Sequence, residues 1–255
     1  MNQNYYSIKK LNKKIIFGFF NSKGGVSKGN YNSLNCSSNN SDKKENVLKN
    51  IKISIKKLGI KNKKLKLVNQ IHSNRISEIK KENYKKKFLS DGLITRDRNI
   101  ALGILTADCA PIFIFDSTNT FICCLHSGWK GTLLNISKEC IKKLKKKKIN
   151  NKKLIAVIGP CLAQNNFEVD KQFKIKFIKK NISYKKFFKN KNKNKDLFDL
   201  RGLIKFQLES EGVNKIYNIK RDTYKNRHIF FSHRRTMHQN KTDTGRMINI
   251  ISFRG

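Results

Sequence analysis

Apolar residues fall along this chain in short blocks set between long polar stretches, and the spacing inside each block selects an element. Ile15–Phe20 is apolar apart from Gly18 and reads as a buried strand. Between 45 and 58, apolar residues recur at 47, 48, 51, 55 and 58, the period of an amphipathic helix. Residues 65–71 are expected as a strand leading into Gln70-Ile71-His72. Residues 80–87 form a solvated charged segment, and Asp91-Gly92-Leu93-Ile94-Thr95 then turns the chain. Residues 111–115 and 121–125 read as two buried strands joined by the polar turn Ser117-Thr118-Asn119-Thr120.

The second half continues the alternation. Leu133, Leu134, Ile136, Cys140, Ile141 and Leu144 line one face of a helix, and the lysines of 142–148 sit where cations complement its C-terminal dipole. Leu154–Ile158 predicts a strand and 168–178 a helix. Residues 185–195 alternate Lys and Asn and are expected to be a mobile low-complexity excursion. An amphipathic helix is predicted over 196–212, with Leu197, Leu200, Ile204 and Leu208 on one side and Gly212 ending it. A short strand at 216–219, a polar tail and a last strand, Met247–Phe253, complete the pattern.

At 255 residues the chain is long enough for one large domain or two small ones. No run of eighteen apolar residues occurs, which excludes a helical membrane span. The first fourteen residues are polar and hold no signal-peptide core, so a cytoplasmic location is expected. The formal charge of +40 would ordinarily point to nucleic acid. Here the excess is nearly all Lys, in company with Asn and Ile, the residues of A+T-rich codons. Solvated lysines therefore account for the charge, and no nucleic-acid partner is expected. A basic RNA-binding protein is the alternative, marked by a steep salt dependence. The six cysteines include no C-x-x-C pair, and Cys123, Cys124 and Cys140 read as small buried hydrophobes, a pattern that fits a reducing compartment.

Candidate chemistry gathers around the predicted hairpin. Cys109 precedes its first strand and His126 follows its second, so an antiparallel pairing makes them neighbours. His72 lies at the end of another predicted strand. The loop of residues 21–35 carries three glycines but lacks the Lys-Ser/Thr ending of a P-loop, which argues against nucleoside triphosphates. Arginine is scarce in this lysine-rich chain, so Arg234, Arg235 and Arg246 stand out as planar, bidentate anion ligands, with structural ion pairs as the other reading. Cys109 could equally be a thiol nucleophile with His126 as its base.

The runs S-K-G-N-Y-N-S-L-N from Ser27, Q-I-H-S from Gln70, D-G-L-I-T from Asp91, T-A-D-C-A-P from Thr106, H-S-G-W-K-G from His126, I-G-P-C from Ile158 and F-F-S-H-R-R…T-G-R ending at Arg246 span nearly the whole chain. In this order they resemble the laccase-domain family, whose YfiH-like members are also described as polyphenol oxidases, peptidoglycan-editing factors and purine nucleoside phosphorylases. The resemblance implies a single mixed α+β domain over 1–255, a layered α/β/β/α sandwich with mixed sheets. It implies that His72, Cys109 and His126 bind one metal and act in catalysis. Two imidazoles and a thiolate suit Zn²⁺, with copper as the lesser alternative because so few histidines are present. The implied reactions are phosphorolysis of adenosine, guanosine, inosine and methylthioadenosine and deamination of adenosine, so purine nucleosides and inorganic phosphate are the expected partners. Arg234, Arg235 and Arg246 are the candidates for phosphate, and Asp108 for a proton carrier or a carboxylate that supports the ligands. Three positions depart from the family: Ser127 and Lys130 stand where Ala and Arg are usual, and Asp222 where Cys is common.

Overall fold

The computed structural model describes residues 4–8 and 11–254. Its first strands are β1 (Tyr5–Tyr6), β2 (Ile15–Phe20), β3 (Lys64–Lys66), β4 (Ile76–Ile79), β5 (Gly92–Thr95) and β6 (Ile100–Thr106). Then come β7 (Ala110–Asp116), β8 (Ile122–Ser127), β9 (Leu154–Ile158), β10 (Glu168–Asp170), β11 (Phe188–Asn190), β12 (Lys195–Phe198), β13 (Lys215–Asn218) and β14 (Met247–Phe253). The α-helices are α1 (Lys44–Leu58), α2 (Trp129–Leu133), α3 (Ile136–Lys146), α4 (Lys171–Lys180), α5 (Leu200–Ser210) and α6 (His233–His238).

Two mixed sheets form the centre. One runs β1-β2-β14-β6-β3 and the other β13-β9-β7-β8-β5-β4. Strand alternation decides what lies on each side. On β7, Phe113 and Phe115 turn toward the first sheet and meet Phe17 and Phe19 of β2 and Ile251 and Phe253 of β14. Phe19 and Phe113 stack with ring centroids 4.4 Å apart. Ile112 and Ile114 turn the other way, onto Cys140, Ile141 and Leu144 of α3 and Leu203, Ile204 and Leu208 of α5. Helix α1 covers the outer face of the first sheet, where Leu58 joins Phe20, Ile248 and Ile250. The result is a single α/β/β/α domain. Cys123 and Cys124 fall on opposite faces of β8, in separate cores.

Several expected boundaries move, each for a local reason. Residues 65–71 do not form one strand: β3 stops at Lys66, and the Gln70 amide then bonds both ways with the backbone of Leu105. Residues 92–95 are a buried strand rather than a turn. The segment 168–178 opens with β10 before Asp170 caps α4 by accepting from Phe173 N. Likewise 196–212 opens with β12, and Asp199 starts α5 by accepting from Gly202 N. Gly212 lies just past that helix at φ +85°, as its position predicts. The expected excursion at 185–195 instead supplies β11 and the turn into β12, in a third, three-stranded sheet β10-β12-β11. Phe188 anchors it by stacking on Phe198, with centroids 4.9 Å apart. Among the described residues no helix is long and apolar enough to cross a membrane.

Candidate metal centre

The β7–β8 register sets Pro111 opposite His126, so Cys109 enters the hairpin beside the end of β8. Strand β5 pairs with the other edge of β8, Gly92 opposite Leu125, which carries the preceding residue, Asp91, to His126. His72 arrives from the loop after β3, in the other sheet, with φ +58°. The ligating atoms of His72, Cys109 and His126 all lie within 4.8 Å of one another. The two imidazole rings meet edge to face, with centroids 4.9 Å apart.

A buried carboxylate organises this convergence. Asp91 accepts from His126 Nδ1 at 2.8 Å, Ser73 N at 2.6 Å, Ser73 Oγ at 2.7 Å, His72 N at 3.0 Å and Ile71 N at 3.3 Å. One side chain thus orients one imidazole and pins the backbone that carries the other. With Nδ1 donating to Asp91, His126 is left with Nε2 as its free donor atom toward the cluster. Gly128 completes the enclosure, because a Cβ there would lie 2.7 Å from Cys109 Sγ.

The electrostatics follow from the same contacts. Burial pushes the Cys109 thiol up, but the charge and hydrogen bonding of His126, helped by His72, bring it down to about 6. Burial pushes His126 down, and the Cys109 thiolate together with Asp91 raises it to about 9. Burial pushes Asp91 up, and hydrogen bonds from His126 and Ser73 bring it to about 2. The residues fit a divalent metal: a thiolate held ionised, a tautomer fixed by a carboxylate, and an open side for a further ligand. That side faces a cleft of about 310 Å³, whose walls include Ser37, Asn39, Gln70, Thr106, His233 and Arg246.

The other sequence candidates are placed differently. Asp108, buried at φ +92°, accepts from Thr223 Oγ1 at 2.6 Å, Ser232 Oγ at 2.9 Å and Arg234 N at 2.7 Å. Its carboxylate is fully engaged and does not line the cleft. Arg234 donates to Glu168 O at 2.7 Å and lies over the Phe167 ring. Arg235 donates to the carbonyls of Thr223, Tyr224 and Phe230. Neither guanidinium is in the cleft lining; of the three arginines only Arg246 is. Sequence reasoning missed Asp91, Gly128 and His233. Asp91 stands inside D-G-L-I-T, where the pattern predicts a turn; only the β5–β8 register reveals what it meets.

A family model described as multi-copper polyphenol oxidoreductase laccase matches residues 16–254. The chain belongs to this laccase family. Within it, the chain is 36% identical over 186 residues to purine nucleoside phosphorylase RP494 of Rickettsia prowazekii, covering 72% of this chain and 76% of that protein. It is 27% identical to purine nucleoside phosphorylase YlmD of Bacillus subtilis, covering 100% of this chain and 94% of that one. The crystal structure of Neisseria meningitidis protein NMB0706 superimposes with a TM-score of 0.89 at 27% identity, over 99% of this chain and 100% of the other. The laccase-family fold and the mixed α/β architecture therefore agree.

Proposed function

We propose that this chain is a purine nucleoside phosphorylase that also deaminates adenosine, with one zinc ion held by His72, Cys109 and His126. The observation that carries the reading is the cluster itself, braced by Asp91 and opening into a cleft with a guanidinium on its wall. The names of the laccase-family relatives support the substrate class. Two imidazoles and one thiolate favour zinc over copper, and with five histidines in the whole chain a multi-copper centre is short of ligands. Bound there, zinc would supply Lewis acidity at the floor of the cleft.

The chain's own residues do the rest. Asp91 holds His126 and the His72 backbone rigid, so the floor does not reorganise as substrate arrives. Of the tail arginines we assign Arg246 to phosphate: its Nη1 is steadied by the Thr244 carbonyl at 2.6 Å while the residue lines the cleft. Arg234 and Arg235 support the tail that carries the wall. A second reading draws on the depressed Cys109 thiol, which would also suit a nucleophile with His126 as base.

Incubating zinc-loaded protein with adenosine, with and without phosphate, tests the assignment. Adenine formed only with phosphate is the expected product of phosphorolysis, and inosine formed without it that of deamination. The absence of both products would contradict the proposal. Activity from metal-free protein, abolished by a thiol alkylator, would favour the nucleophile.

A further inference from the structure

Phosphorolysis and deamination, the reading on which this inference rests, both require a proton for a departing nitrogen. Among the described residues, no carboxylate lines the cleft. Asp91 is taken up beneath His126, and Asp108 by three donors. Setting aside the three metal-binding side chains and Arg246, one titratable group remains in the lining: His233. It is exposed, and among the described residues its ring makes no hydrogen bond to another side chain, so it is free to meet a ligand.

Its backbone, by contrast, is fixed. Asp108 accepts from Ser232 Oγ and from Arg234 N, the two residues flanking His233. Asp108 also directly precedes Cys109. A single carboxylate therefore ties the Cys109 loop to the start of α6 and sets the distance between the metal-binding thiol and the imidazole.

We propose that His233 is a catalytic residue that protonates the departing purine, and that Asp108 is the positioning residue that sets it against Cys109. In phosphorolysis a phosphate oxygen bonds to ribose C1′ as the C1′–N9 bond breaks, and the electron pair stays with the purine. The His233 imidazolium gives its proton to purine N7. Hydrogen phosphate loses its own proton on becoming ribose 1-phosphate, and that proton restores the imidazolium through solvent.

Substrate choice tests this directly. The base of 7-methylguanosine already carries a positive charge and departs without a proton at N7, whereas guanosine needs one. His233→Ala is expected to lower kcat on guanosine by about 100-fold or more and to leave 7-methylguanosine within about twofold of wild type. Zinc content should be unchanged, and added imidazole should restore part of the guanosine rate. Asp108→Asn should show the same substrate bias more weakly, with KM for phosphate unaltered. Equal losses on both nucleosides, or no loss on guanosine, would overturn the assignment alone. Wild-type protein that cleaves neither nucleoside in the presence of phosphate would overturn the phosphorolytic reading and the role of His233 together.

Discussion

Asp91 binds no metal in this account, yet five hydrogen bonds converge on it, from the His126 ring, the Ser73 hydroxyl and the backbone of residues 71–73. Its carboxyl sits at about 2, because those hydrogen bonds outweigh the burial that would raise it. A depressed carboxyl stabilises the fold above the ordinary carboxylate range, and that stability is lost as pH falls toward the folded value. Asp91→Asn should therefore cost roughly 2–4 kcal/mol at neutral pH in metal-free protein. In urea titrations the gap from wild type should narrow as pH is lowered from about 5 toward 2. A gap independent of pH would show that the charge of Asp91 is not what matters. Cysteine chemistry separates just as sharply. Burial pushes Cys36 up to about 12 and Cys161 up to about 11, whereas the histidines hold Cys109 at about 6. Iodoacetamide at neutral pH should modify Cys109 alone in metal-free protein, read by peptide mass spectrometry, with a rate already level above about pH 7. Bound metal should protect it. Gly128→Ala, whose Cβ would press on Cys109 Sγ, should lower metal affinity about tenfold or more without unfolding the chain, as metal titration and circular dichroism would show.

At the level of elements, legibility followed how much of an element's signal lay within its own residues. Strands β7 and β8 were readable because each is a continuous apolar run bounded by polar turn residues. The apolar spacing starts helices α4 and α5 several residues early, because the short strands before them share it. The capping residues Asp170 and Asp199 mark the true starts. The Lys/Asn segment hid β11, since one buried aromatic, Phe188, carries a strand whose other side chains face solvent. The apolar pattern does not single out strand β6, although it lies between β14 and β3 in the first sheet and its residues 102–106 pair along β14. The contact between the two sheets is where packing should matter most. Phe113→Ala, which would empty the stack on Phe19, is expected to cost about 3–5 kcal/mol in denaturant unfolding. A cost below about 1 kcal/mol would mean that the sheets are not held together there.

Across the whole molecule, the three side chains of the candidate metal centre come from separate parts of the chain and from both sheets. His72 follows β3 of one sheet, while Cys109 and His126 bracket the hairpin of the other. Spacing could pair Cys109 with His126, because a hairpin does that locally. His72 stands out at a predicted strand end, but its meeting with the other two depends on how the sheets stack, and only the family resemblance joined it to them. The lysine excess left no comparable trace at the site: among the described residues the cleft wall includes Arg246 and no lysine. The central claim is that these three residues grip a single zinc ion. X-ray absorption at the zinc edge, on protein purified without added metal and quantified by elemental analysis, tests it most directly. The account predicts about one zinc per chain, with one sulfur near 2.3 Å and two imidazole nitrogens near 2.0 Å, and loss of both metal and sulfur signal in Cys109→Ser. A stoichiometric metal without a sulfur ligand, or one retained unchanged in that variant, would contradict it.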